Sequence, residues 1–237
     1  MCTVTYLPLG NSNFILTSNR DETPLRKTIP IETYKENGVE LTYPKDALAG
    51  GTWIGTSTKN RLVCLLNGGF TNHIRNQYYK MSRGIIVKNI LSADNGVAYI
   101  NNFDFMGIEP FTLILVDYHL QLQAYELVWD GNKKHLTKLE SEPKIWSSSP
   151  LYNEEMKAVR KEWFSDWLAE NDSFQQEKII DFHQNESLGN REVSLIMKRA
   201  FVETVSITSV KKIAETIEIT YLDLRTAKTV QKKLNRQ

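Results

Sequence analysis

Strand-forming stretches lie at both ends of this chain, and its amphipathic helix patterns are grouped between them. That order argues for an α+β layered domain and against an alternating βαβ fold. At the start, residues 2–7 and 14–18 have strand composition and flank Pro8-Leu9-Gly10-Asn11-Ser12-Asn13, which is turn chemistry, so the chain opens with a hairpin. At the far end, residues 201–210 and 213–224 read as a second hairpin around Lys211-Lys212. Thr204, Ser206 and Thr208 alternate there with Val205, Ile207 and Ser209, giving one hydroxyl-rich face. Residues 52–56 and 61–67 form a further hairpin, and residues 111–116, 122–129, 135–139 and 144–147 follow as a β-meander. Helical periodicity marks residues 85–91, 96–102, 153–170, 174–183 and 192–199. The clearest of these sets Met156, Val159, Trp163 and Trp167 on one face, at spacings that predict a core stripe. Residues 23–46, rich in Pro, Thr, Lys and Glu, read as a long loop.

A chain of 237 residues with no break in composition is expected to form one domain over residues 1–237. A net charge of +1 supplies no field to gather nucleic acid, and Lys228, Lys232 and Lys233 are expected on a solvated face. No apolar run reaches membrane-spanning length and the first residues lack a secretory signal pattern, so a cytoplasmic location is expected. The two cysteines, Cys2 and Cys64, are too few for a disulfide scaffold, and Cys64 sits in an apolar run where an inert buried thiol is expected. His73, His119, His135 and His183 are isolated in sequence, without metal-ligand spacing, so no metal and no cofactor are expected. The chain has no G-x-S-x-G, P-loop or G-x-G-x-x-G motif, which removes the usual serine hydrolase, nucleotide hydrolase and dinucleotide readings. A small-molecule substrate or ligand remains the expected partner, with an oligomer possible.

Cys2 is the outstanding candidate. Removal of Met1 would make it the first residue, uniting a thiol nucleophile with a free α-amine whose reference pKa of about 7.7–8.0 suits proton transfer near neutrality. Antiparallel pairing of the first hairpin returns Asn19, Arg20 and Asp21 towards the start of the chain. Arg20 would favour the thiolate and Asp21 would orient the ammonium form of the amine. Asn67, at the end of an apolar strand and followed by Gly68-Gly69, could donate to a developing oxyanion with a backbone N–H beside it. Gly50, Gly51 and Trp53 in Gly50-Gly51-Thr52-Trp53-Ile54-Gly55, together with Gly68, are candidates for close approach to a substrate, tight turns being the alternative.

Met1-Cys2-Thr3, Ser18-Asn19-Arg20-Asp21-Glu22, the Gly50–Gly55 block and Leu65-Leu66-Asn67 together resemble, in this order, the NRDE family, also called transport and Golgi organisation protein 2-like. The resemblance implies an N-terminal-nucleophile (Ntn) hydrolase fold: a four-layer αββα sandwich of two antiparallel sheets flanked by helices, akin to choloylglycine hydrolases and penicillin acyltransferases. It implies Cys2 as nucleophile, Asn67 as oxyanion donor and Asp21, ahead of Arg20, as the matching early charged residue. Ser148, in Trp146-Ser147-Ser148-Ser149-Pro150, stands where those relatives carry an asparagine, and Val205 stands where they carry a late arginine. The expected activity is hydrolysis or acyl transfer on a small amide or thioester through an acyl-enzyme. A non-catalytic carrier of an apolar metabolite, acyl-CoA or haem is the alternative, and an interaction protein with a merely structural N-terminal constellation is a third.

Overall fold

The structure is a computed structural model that describes residues 3–235. In chain order its elements are β1 (Thr3–Gly10), β2 (Asn13–Glu22), β3 (Thr28–Glu36), β4 (Val39–Asp46), β5 (Ile54–Ser57) and β6 (Arg61–Asn67). Helices α1 (Arg83–Ser92) and α2 (Gly96–Asn102) precede β7 (Phe111–Asp117), β8 (Gln123–Trp129), β9 (Lys134–Lys138) and β10 (Lys144–Ser147). Then come α3 (Glu154–Ala169), α4 (Gln176–Gln184), β11 (Glu203–Ile213), β12 (Thr216–Asp223) and β13 (Lys228–Asn235). The strands form two antiparallel sheets, and the α+β class expected from the order of elements is the one observed. Among the described residues no helix is long and apolar enough to cross a membrane.

The chain divides into two compact units, residues 1–25 with 142–237 and residues 26–141. The first holds a six-stranded sheet in the order β10-β1-β2-β11-β12-β13. Leu7 and Ile15 of its β1–β2 hairpin and Ile145 of β10 pack with Phe164 of α3 and Ile179 and Phe182 of α4, closing one sheet face. Asn153 caps α3 by accepting from the Met156 N–H, which satisfies a donor the helix cannot pair internally. The second unit holds the seven strands from β3 to β9 in sequential order. There Ile86, Val87, Ile90 and Leu91 of α1 and Ile100 of α2 pack on Leu113, Leu115 and Leu127.

Three sequence expectations are corrected. The stretch 23–46 is not a loop but carries the β3–β4 hairpin, turned by Asn37 and Gly38 at φ 51° and 79°. Two successive positive φ values are what a two-residue hairpin loop requires, and Asn-Gly supplies them. Pro30 hides the strand in the sequence, yet it sits in the outermost strand of the sheet, at a register shift between Ile29 and Glu32, where a missing donor is tolerated. Residues 192–199 form no helix. The carbonyls of Val193, Ser194 and Leu195, which a helix would need, accept instead from Arg160 and Asn19. The β11–β12 hairpin turns at Ala214-Glu215, not at Lys211-Lys212, because β11 runs on to Ile213, with Ala214 at φ 48°. The lysines at 228, 232 and 233 lie on the outermost strand β13, largely exposed, which keeps that open edge charged.

Candidate functional site

Alternation along β2 sends Ser18 and Arg20 to one face of the six-stranded sheet and Asn19 and Asp21 to the other. The ladder pairs Thr3 with Asn19 and Val4 with Ser18, so the start of β1 lies at the end of the sheet that carries Arg20 and Asp21. The antiparallel opening hairpin expected from the sequence is therefore observed from Thr3 onward. Met1 and Cys2 themselves lie outside the described residues.

On the face covered by helices, Asn19 is fully buried and its amide is engaged on both sides. Nδ2 donates to Leu195 O at 2.8 Å and to His183 O at 3.2 Å, which leaves Oδ1 facing His183 Nδ1 at 2.6 Å. His183 Nδ1–H is thereby the donor, and Nε2 accepts from Thr5 Oγ1 at 2.8 Å. Burial, reinforced by the positive charge of Arg160, lowers the pKa of His183 to about 3, so the ring is neutral at pH 7. Asp21, 3 % exposed, accepts from Tyr152 Oη at 2.9 Å and from Thr204 Oγ1 at 2.6 Å. A register shift between Thr204 and Ser206 sets Thr204 opposite Asp21, with Val205 buried in the shift. Arg160 reaches the same end of β1, donating to Thr3 Oγ1 at 2.6 Å.

The other face carries Arg20, buried, with Nη2 3.9 Å from Glu22 Oε2. Ser206 stands opposite Arg20 and Thr208 opposite Ser18, so these two hydroxyls line up with this face of β2, while the register shift turns Thr204, expected beside them, to Asp21 on the other face. The hydroxyls of Ser206 and Thr208 are buried without a hydrogen-bond partner among the described residues, as is that of Ser148 just after β10. Such groups are uncommon in folded chains and point to a polar occupant or water. A cavity of about 360 Å³ lies in this unit, lined by Gln184, Glu186, Lys198, Glu203, Thr204 and Arg225 among others. Its charges pair with one another, Glu186 with Lys198 and Glu203 with Arg225, so it has no strong preference for either sign of ligand.

The remaining candidates belong to the second unit. Asn67 ends β6 opposite Phe111 and is half-buried. Gly68, at φ +83°, donates its N–H to Pro110 O at 3.0 Å, and its carbonyl accepts from Thr112 Oγ1. Gly50, at φ +68°, turns the chain after β4 and bonds back to Asp46 O. At Gly51 an added Cβ would stand 2.7 Å from the Gly84 backbone, so the close approach its sequence suggests is one of chain to chain. Trp53 is buried, and its carbonyl accepts from Leu65 N. Among the described residues no group of three metal-ligating side chains occurs. Arg160, Tyr152 and His183 were not singled out by sequence, since none sits in a motif and each reaches the hairpin only through tertiary packing.

The family profile described as Transport and Golgi organisation 2 matches residues 1–225. No curated protein sequence matches the chain. Among solved structures, the fold is similar to a Caenorhabditis elegans N-acylethanolamine-hydrolyzing acid amidase ortholog, at TM-score 0.62 and 12% identity over 88% of this chain and 92% of that one. Penicillin V acylase from Agrobacterium tumefaciens is similar at TM-score 0.53 and 12% identity, over 99% and 91%. A variant of conjugated bile acid hydrolase from Clostridium perfringens is similar at TM-score 0.51 and 9% identity, over 100% and 98%. At such identities the likeness is one of fold, and that fold is the Ntn-hydrolase one.

Proposed function

The chain belongs to the Transport and Golgi organisation 2 family, and from that premise we propose that it is an N-terminal-nucleophile hydrolase or acyltransferase acting on a small amide or thioester. After loss of Met1, the Cys2 thiolate attacks the acyl carbon while the α-amine carries the proton. The ammonium form returns that proton to the departing amine or thiol, leaving an S-acyl enzyme. Water or an acceptor amine, deprotonated by the α-amine, then releases the acyl group and restores the thiol. Arg20 favours the thiolate and Asp21 orients the amine.

The observation that carries this reading is the Thr3–Asn19 pair, which sets the start of β1 beside Arg20 and Asp21. Three proteins of similar fold, named as an amidase, an acylase and a hydrolase, support the reaction class. Intact mass of the purified protein, followed by acyl release from a panel of N-acyl amides and acyl thioesters, tests it. The expected result is a chain lacking Met1 whose turnover disappears in Cys2→Ala. Full retention of Met1, or equal turnover in Cys2→Ala, refutes the mechanism.

The carrier reading draws on a specific departure. Ser148 and Val205 are both buried and supply neither the amide nor the cation of the relatives that the sequence resembles. It predicts an apolar ligand, such as an acyl-CoA or haem, bound equally by the parent and Cys2→Ala with no turnover in either.

A further inference from the structure

In the second unit, residues 68–82 join β6 to α1 without strand or helix, and connections of that length in a compact unit are uncommon unless they carry a task. The segment is pinned at several points. Gly68 N–H donates to Pro110 O at 3.0 Å, Asn76 N–H to Tyr79 Oη at 2.8 Å and Lys80 N–H to Gly107 O at 2.8 Å. The Glu109 carboxylate faces three side chains, Arg83 Nη2 at 3.0 Å, His73 Nε2 at 3.5 Å and Arg75 Nε at 3.6 Å. What this anchoring holds out in water is apolar. Ile74 is 94% exposed and Tyr78 81%, while Phe70 and, next to Gly107, Met106 are more than half exposed. Four of the eleven large apolar side chains exposed among the described residues thus fall in this loop and in the stretch that pins it. Single exposed apolar residues are ordinary, whereas a group of them on an anchored loop marks an interaction surface.

The charge interleaved with these side chains is positive. No acidic residue occurs between Asp46 and Asp94, and the loop itself carries Arg75 and Lys80, both exposed. On the stretch that pins it, Glu109 is held by Arg83, and the Asp104 carboxylate accepts from the Met106 N–H at 2.9 Å. We infer that this loop docks on the surface of an anionic lipid bilayer without crossing it. Ile74 enters the acyl boundary, Tyr78 stands at headgroup level, and Arg75 and Lys80 meet lipid phosphates. Such a surface offers apolar and anionic contacts within a side chain's length of each other, which the neighbours Ile74-Arg75 and Tyr78-Tyr79-Lys80 match. A second copy docked through the same patch would instead set these cations against their own equivalents. The inference does not depend on Cys2, and Cys2→Ala is expected to bind as the parent does.

The test is flotation of the full chain with phosphatidylcholine vesicles that carry about 30% phosphatidylglycerol or none. Binding to the anionic vesicles is expected, weakening as salt is raised. Replacing both cations, Arg75→Gln with Lys80→Gln, is expected to weaken it about thirtyfold, at about fivefold for each. Ile74→Ser is expected to weaken it about tenfold, by withdrawing a large apolar side chain from the acyl boundary. Leu120→Ser, at an exposed position outside the loop, is expected to leave binding unchanged, and an equal loss there overturns the inference. No binding to the anionic vesicles, or equal binding to the uncharged ones, overturns it as well. So does binding that the two cations govern but Ile74→Ser leaves unmoved, which is adsorption by charge alone. A dimer in sedimentation that Ile74→Ser dissociates places a second copy on the loop and overturns it too. Should one of the loop variants not fold, Tyr78→Ser decides: a loss of about fivefold is expected, and no loss overturns the inference.

Discussion

Lowering the pH from 7 to 5 is expected to destabilise the parent protein by about 2 kcal/mol more than a His183→Gln variant. His183 is fully buried and both ring nitrogens are engaged as in the neutral form, Nδ1 with Asn19 and Nε2 with Thr5. Its pKa falls from the ordinary 6.5 to about 3, first through burial and then through the charge of Arg160. Between those values the unfolded chain binds a proton that the folded chain does not. The stability contributed is therefore complete above pH 6.5 and declines as the pH falls from 6.5 towards 3. The decline is about 1.4 kcal/mol per pH unit in that window, or about 2 kcal/mol between pH 7 and pH 5. Carboxylates that titrate in the same range are common to both proteins and cancel in the comparison. Urea unfolding at pH 7, 6 and 5, followed by tryptophan fluorescence, measures the difference. Gln at 183 lowers stability at pH 7, and the gap to the parent narrows with acid. A gap that stays constant within about 0.5 kcal/mol would mean that His183 is not held neutral, and the account of this network would fail.

Asn19→Ala removes partners from Leu195 O, His183 O and His183 Nδ1 and is expected to destabilise by about 3 kcal/mol in urea unfolding. A loss under about 1 kcal/mol would show that water replaces the amide. Gly51→Ala pushes a methyl group into the Gly84 backbone at 2.7 Å and is expected to cost about 1–3 kcal/mol, read as a lower thermal midpoint; an unchanged midpoint would argue against that close approach. Arg61→Met is expected to cost about 3 kcal/mol, because Arg61 donates to Ile90 O, Ala93 O and Asp94 O at the end of α1 and to Asp117. Hydrogen exchange in residues 83–93 should rise with it, and unaltered protection there would refute the capping role.

Some of this architecture was written locally. Period-two strands around a Pro-Leu-Gly-Asn turn made the first hairpin legible, and Asn153 with the stripe of Met156, Val159, Trp163 and Trp167 marked α3, although Val159 is exposed, the other three are half-buried, and Arg160 and Phe164 are the residues the helix buries. Asn37-Gly38 carried an equally local signal for the β3–β4 turn, obscured by Pro30 and the charged residues around it. Residues 192–199 show the opposite case. Their helical pattern is present, but Asn19 and Arg160 claim the carbonyls it needs. By itself, then, the sequence determined the α+β class, the opening hairpin and the adjacency of Asn19, Arg20 and Asp21, since alternation and turn chemistry act over a few neighbouring residues. Only the tertiary structure decided that Asn19 and Asp21 face the helices while Arg20 faces the other way beside Ser206, and that Arg160, Tyr152 and His183 converge on that end of the hairpin. Their partners lie far away in the chain, and no local pattern encodes which distant side chain will neutralise or field a buried polar group.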